Sequence, residues 1–321
     1  MITRRRLLTF TAVAALAVAP LPVVAADTKL SVVATTGMIA DTARRIGRDL
    51  VEVRALMGPG VDPHAYRQTR TDIVAMSRAD LVLWNGLFLE AQMEDVLSDL
   101  ASRTTVRAVA EAVSQGKLVA HDDYADRFDP HVWMDPTLWR DVAIDIRDAM
   151  IEAAPSSRQA FEANAEAFLA ELDALAAYST KALTSVPEEA RVLVTAHDAF
   201  NYFGRAYGFE VTGIQGISTE SEAGLNRITK LVEMLVDRKI SAVFVESSVS
   251  DRSIRALIEG AAAGGHEIRI GGELYSDAMG APGTYEGTYI GMIDHNVTVI
   301  TSGLGGSVPE RGMSGKLGSG S

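Results

Sequence analysis

Three observations predict an α/β fold of parallel strands covered by helices, divided by one long helix. Short β-branched runs alternate with helical patterns from Lys29 to Ala110. From Ser156 to about Thr184 no strand candidate occurs, and a single apolar stripe persists. The alternation then resumes and runs to Gly272. Strand–helix alternation of this kind implies parallel sheets with helices on their faces.

The elements follow in order. KLSVVATT (29–36) is the first strand, and MIADTARRIGRDL after it has apolar spacing near the helical period. VEVRALM (51–57) precedes the helix TRTDIVAMSRA, and LVLWNG (81–86) precedes LEAQMEDVLSDLA. The fourth strand, TTVRAVA (104–110), leads into an irregular stretch around His121. In the strand-free middle, Phe161, Ala165, Phe168, Leu169, Leu172, Leu175 and Ala176 recur at helical spacing on one face. Pro155-Ser156-Ser157 supplies a start, and Pro187 lies beyond the end. At ~1.5 Å per residue this helix spans ~40 Å, enough to run along two lobes. RVLVTAH (191–197), EVTGIQ (210–215), AVFVESS (242–248) and EIRIGG (267–272) are the later strands. The helices AFNYFGRAYG, LNRITKLVEMLVDRK and SIRALIEGAAA separate them, the second behind a T-x-x-E capping box of Thr219 and Glu222. Four strands therefore precede the long helix and four follow it.

The two ends read differently from the body. Arg4, Arg5 and Arg6 precede an apolar run from Leu7 to Val24 that ends at Ala25-Ala26, the pattern of a cleavable export signal over residues 1–26. TRRRLLT is similar to a twin-arginine signal, with an ordinary Sec signal as the other reading. Residues 305–321, rich in Gly and Ser, read as a disordered tail. There is no cysteine among the 321 residues, which excludes disulfides, thiolate sites and the attachment point of a lipoprotein anchor. The expected product is a soluble periplasmic protein and not a lipoprotein. Its formal charge moves from −12 to about −15 once the three arginines are removed. Such a surface is a poor match for nucleic acid and a better one for cations.

Two of the six histidines directly follow Asp-Pro: His64 in VDPHAY (61–66) and His131 in DPHVWMDP (129–136). Proline holds φ near −65° and stiffens each turn. Asp62 and Asp129 can accept turn hydrogen bonds or orient an imidazole. His197 closes the fifth strand, and Asp277 lies in the loop after the eighth. All four residues fall at carboxyl ends of predicted parallel strands, where ligands bind in open α/β sheets. Three neutral imidazoles and one carboxylate form a shell suited to a divalent transition metal. Any one loop histidine is more often structural than a ligand, and His121, His266 and His295 are ranked as structural or surface residues. Trp133 and Met134 read as core. Glu246, at a strand end, reads as a backbone hydrogen-bond partner or a residue of the cleft.

At these residues the chain resembles the periplasmic solute-binding proteins of zinc/manganese ABC transporters, the cluster A-I metal receptors. The phrases that carry the resemblance are GPGVDPHAY, DPHVWMDP, LVTAHDAFNYFGRAYG, GIQGISTESEAGL, VFVESSV, GGELYSDAMG and GTYIGMIDHNV, spread over roughly residues 30 to 300. The resemblance implies two lobes, each a four-stranded parallel sheet flanked by helices, linked by one long α-helix. The corresponding boundaries are 27–153 for the N-terminal lobe, 154–188 for the linking helix and 189–304 for the C-terminal lobe. It also implies metal ligands at His64, His131, His197 and Asp277, and an integral-membrane ABC permease as partner. The receptor is expected to be a monomer that captures Mn²⁺ or Zn²⁺ for import. A histidine-rich acidic loop and a cysteine pair, found in zinc-dedicated members, are absent here, which places manganese first. Histidine at 197, where many manganese-dedicated members carry glutamate, keeps zinc close behind. Affinity is expected to fall below ~pH 6 as imidazoles protonate. The alternatives are a metal-dependent hydrolase or oxygenase using the same cluster, and a metal-binding adhesin or chaperone that feeds no transporter.

Overall fold

The computed structural model describes residues 29–121, 126–221 and 223–318, and the expected export signal lies outside them. Four parallel strands form the first sheet: β1 (Leu30–Ala34), β2 (Val51–Ala55), β3 (Leu81–Trp84) and β4 (Thr105–Ala108), in the order β2-β1-β3-β4. Leu30 lies opposite Val51, Val32 opposite Leu81, and Leu81 opposite Thr105. This order reverses between β1 and β3, the kind of switch point that opens a crevice at the carboxyl ends. Helices α1 (Gly37–Gly47), α2 (Arg70–Arg78) and α3 (Glu94–Leu100) cover the sheet. The Thr69 hydroxyl caps α2 in a reciprocal capping box with Asp72.

Between the first sheet and the long helix lies a helix absent from the sequence reading. α4 (Pro136–Ala153) has Asp135 as its N-cap, accepting from the Thr137 N–H, and proline at its first position. The second Asp-Pro pair of DPHVWMDP therefore starts a helix, while the first holds a histidine. The long helix is α5 (Arg158–Leu183), close to the expected span. Phe161, Ala165, Phe168, Leu172 and Leu175 are buried along it, while Leu169 and Ala176 sit at the edge of the stripe.

The second half holds β5 (Val192–Thr195), α6 (Asn201–Tyr207), β6 (Glu210–Gly213), α7 (Leu225–Asp237), β7 (Ala242–Glu246), α8 (Arg252–Ala263), β8 (Arg269–Leu274) and α9 (Tyr289–Gly303). Its strands are two parallel pairs, β5–β6 and β7–β8, where one four-stranded ladder was expected. β5 and β7 lie side by side. However, the His197 N–H just past β5 donates to the Glu246 carboxylate at the end of β7, 2.9 Å away. In the β7–β8 pair the register shifts between Val243 and Phe244. Glu222 of the expected capping box lies outside the described residues; α7 begins behind Gly224, and Thr219 bonds elsewhere.

One apolar cluster joins the lobes, beside a smaller one within each. A continuous apolar cluster runs from Leu30 and Val32 in β1 through Phe161, Phe168 and Leu172 to Phe200, Phe244 and Val297. Trp139 of α4 stacks on Tyr289 of α9 with centroids 5.2 Å apart, and its indole N–H donates to the Thr42 hydroxyl of α1. Asp41 of α1 accepts the Tyr289 backbone N–H at 2.9 Å, which satisfies an orphan donor at the start of α9. The tail expected to be disordered is packed as far as Gly318. Both Asp294 oxygens accept the Met313 N–H, and Leu317 is fully buried. Gly312 turns the chain here with φ 70°, a conformation that glycine adopts without strain. No described helix is long and apolar enough to cross a membrane.

Because this core spans the linking helix, the lobes are expected to melt together. Leu172→Ala, in the middle of α5, should cost about 2–5 kcal/mol. Denaturant unfolding of the variant should still show one transition.

Candidate metal centre

Each of the four singled-out residues follows the carboxyl end of a strand in the chain, and a carboxylate holds each of the three histidines. His64 lies between β2 and α2, and its backbone N–H donates to Asp62 Oδ1 at 2.9 Å. Asp129 Oδ1 accepts both the backbone N–H of His131, at 2.9 Å, and its ring Nδ1, at 2.7 Å. Glu246 treats His197 in the same way, with one oxygen on the backbone N–H and the other 2.5 Å from Nδ1. A carboxylate only accepts, so Nδ1 carries the hydrogen in both rings, and Nε2 is the atom left to face the cleft. The Asp-Pro-His phrase is thus used twice but not identically. Asp129 orients the ring of its histidine, whereas Asp62 fixes only the backbone.

The four side chains meet. His64, His131, His197 and Asp277 each offer one ligand atom within 4.8 Å of the others, and all four residues are buried. The Nε2 atoms of His64 and His131 are 3.2 Å apart. Asp277 Oδ1 is 3.4 Å from His131 Nε2, and Oδ2 is 3.2 Å from His197 Nε2. Donors arranged tetrahedrally at the usual ~2.0–2.1 Å from a metal stand ~3.4 Å from one another. His197 Nε2 and both Asp277 oxygens lack an aligned hydrogen-bond partner among the described residues, although they are buried. Such atoms are costly to bury unless something fills the space between them.

Charge follows the same geometry. Burial and the neighbouring imidazoles hold the His64 pKa down to about 3, against the pull of Asp277. Burial would also lower His131, but Asp129 and Asp277 outweigh it and raise it to about 9. Burial is likewise overcome at His197, where Glu246 and Asp277 hold the ring well above the ordinary imidazole range. For Asp277 burial opposes ionisation, yet His197 and His131 keep the carboxyl well below its usual value. Without a metal, then, His131 and His197 favour the protonated ring and Asp277 the ionised carboxylate.

The surroundings complete the site. Asn201 Nδ2 donates to the free oxygen of Asp129 at 3.1 Å, and the Tyr202 hydroxyl donates to its carbonyl at 2.7 Å. Trp133 packs edge-on to His131 with centroids 5.1 Å apart, and its indole N–H donates across the cleft to the Ser276 carbonyl beside Asp277. Trp133 and Met134 are buried, as expected of core residues. Asn201 and Tyr202 were not found from the sequence; their only signal is a position in the phrase that follows His197. The remaining histidines stay out of the cluster. His266 Nε2 bonds the Ile240 carbonyl, and His295 Nε2 bonds the Glu273 carbonyl. His121 is buried rather than solvated, with its backbone N–H on the Arg127 carbonyl.

Comparison with known proteins gives a consistent picture. The family described as ZnuA, zinc-uptake complex component A periplasmic, matches residues 32–303. The manganese-binding lipoprotein MntA of Bacillus subtilis (strain 168) is 49% identical over 279 residues, covering 87% of this chain and 91% of that one. The zinc-binding protein TroA of Treponema pallidum (strain Nichols) is 45% identical over 280 residues, covering 87% and 90%. The solved structure of the periplasmic zinc-binding protein TroA superimposes with a TM-score of 0.84 at 44% identity, over 86% of this chain and 99% of that one.

With the His131 pKa raised to about 9, any metal that takes its Nε2 displaces a proton across the neutral range. Affinity for a divalent cation should therefore climb from pH 6 to pH 9, so the loss begins well above the ~pH 6 read from an unperturbed imidazole. Calorimetry at pH 7 in buffers of different ionisation enthalpy should show protons released as the ion is taken up.

Proposed function

The chain belongs to the ZnuA family, and from that membership we propose that His64, His131, His197 and Asp277 together hold the ion it captures. Members are solute-binding receptors of metal ABC transporters rather than enzymes. The function is therefore extracytoplasmic capture of a divalent transition metal for import, and the hydrolase and oxygenase alternative falls. One observation carries the ligand assignment: the unpartnered, buried oxygens of Asp277 face three imidazoles from both lobes.

Manganese and zinc both suit the donor set. The two relatives described above are named for different metals, MntA for manganese and TroA for zinc. Three nitrogens and one carboxylate bind Zn²⁺ more tightly than Mn²⁺ on intrinsic affinity, so a manganese cargo depends on what the compartment supplies. Our reading keeps manganese first because the chain has neither the histidine-rich acidic loop nor the cysteine pair of zinc-dedicated members. The partner we propose is an integral-membrane ABC permease. All four donors come from one chain, which supports a monomeric receptor. A core continuous across the long helix supports small movements of loops over wide rotation of lobes. The MntA relative is named a lipoprotein. The present chain has no cysteine to carry a thioether-linked lipid, which supports a free protein behind its export signal.

Two measurements test this reading. Titration of the metal-stripped protein against a competing chelator should show one equivalent of Mn²⁺ or Zn²⁺. Asp277→Ala should weaken both by more than the ~10–100-fold typical of losing an outer hydrogen-bond partner; wild-type affinity in that variant would remove Asp277 from the set. At equal free concentrations Zn²⁺ should displace Mn²⁺, and elemental analysis of the protein isolated from its own compartment identifies the cargo.

A further inference from the structure

His64 is held differently from the other two histidines. Carboxylates from their own lobes grip His131 and His197 at both the backbone N–H and the ring. Asp62 reaches only the backbone N–H of His64. Its second oxygen instead accepts the hydroxyl of Thr219, 2.5 Å away and 157 positions along the chain. Thr219 belongs to the segment after β6, in the opposite lobe. That segment touches the N-terminal lobe again where Gln92 Nε2 donates to Glu220 Oε1 at 2.6 Å, on the exposed surface.

We propose that Thr219 is a positioning residue for His64, acting through Asp62, and that the Thr219–Asp62 hydrogen bond sets how fast the captured ion leaves. This rests on the reading of His64 as a ligand. The turn that carries His64 is anchored on its far side, where the Tyr66 hydroxyl donates to Asp72 Oδ2 at 2.7 Å within the α2 capping box. On its near side it begins at Gly58 and at Gly60, whose φ is +70°. Asp62 makes two side-chain hydrogen bonds in the middle of the turn, beside the Val61 N–H bond to the Gly58 carbonyl. Asp62 and Thr219 also wall a cavity of ≈ 470 Å³ with Gln215 and Ser248. The turn therefore has space to swing into once the bond breaks. Movement of Asp62 would carry the His64 backbone with it and open one corner of the donor set. The opposite corner is braced in the reverse sense, since Trp133 of the N-terminal lobe holds the Ser276 carbonyl next to Asp277. Each lobe thus holds the ligand turn of the other.

The test is a chelator chase of full-length protein loaded with Mn²⁺ or Zn²⁺, followed by stopped flow. Thr219→Val keeps the shape and loses the donor. It should raise the dissociation rate about tenfold, the effect expected of one hydrogen bond to a charged group, with little change in association. Thr219→Ser should restore the wild-type rate, because the hydroxyl alone is required. Glu220→Ala should leave the rate unchanged, because its bond joins the lobes without touching Asp62. A wild-type rate in Thr219→Val, no rescue by serine, or equal acceleration in Glu220→Ala would each overturn the proposal. His64→Ala separates it from the ligand assignment. If that variant binds the ion as tightly as wild type, the assignment itself fails. If it loses the ion while Thr219→Val releases at the wild-type rate, only the positioning role fails.

Discussion

Burying one carboxylate and three imidazoles at a single point is the constraint on which the rest of this molecule depends. The cluster is tolerable only when positive charge sits inside it, as protons on two rings or as a dication. Asp129 and Glu246 fix which nitrogen faces inward, and they stabilise positive charge on the rings from behind. Asn201 and Tyr202 in turn hold Asp129. The polar groups around the site are therefore arranged outward in layers, each satisfying the one inside it. The innermost layer is the one left incomplete by the protein's own atoms.

The same site marks the seam of the second half. Its strands form the pairs β5–β6 and β7–β8, and the His197 N–H just past β5 donates to Glu246 at the end of β7. Phe244 and Leu274 from this region join the same apolar cluster as the first lobe. The two halves are thus held together by a core on one side and by polar contacts around the donors on the other.

Much of this was legible in the sequence because it is written in local periodicity. The stripe from Phe161 to Leu175 predicts α5 nearly to its ends, and the β-branched runs predict every strand. The two Asp-Pro-His phrases and the strand-end His197 mark their residues by position. What was not legible depends on partners distant in the chain. Asp277 is one acidic residue among 42 Asp and Glu, and only the strand map and the resemblance set it apart. The pairing of Glu246 with His197 spans 49 positions, and that of Thr219 with Asp62 leaves no local trace. Thr219 even carries a false signal, since T-x-x-E reads as a helix cap while its hydroxyl crosses to the other lobe. The packed tail was misread for a related reason. Gly and Ser are common in disorder, and the carboxylate of Asp294 that orders this tail lies outside it.

The stack of Trp139 on Tyr289, with Asp41 capping the same residue, bears on how the chain comes off the ribosome. α9 is the last helix to be synthesised, and its partners on α1, α4 and α5 are made long before it. Until it emerges, those helices present an uncovered greasy seam, the kind of surface through which nascent chains stick to one another. A growing polypeptide of this design keeps that seam open to its neighbours until the residues from Tyr289 onward have been made.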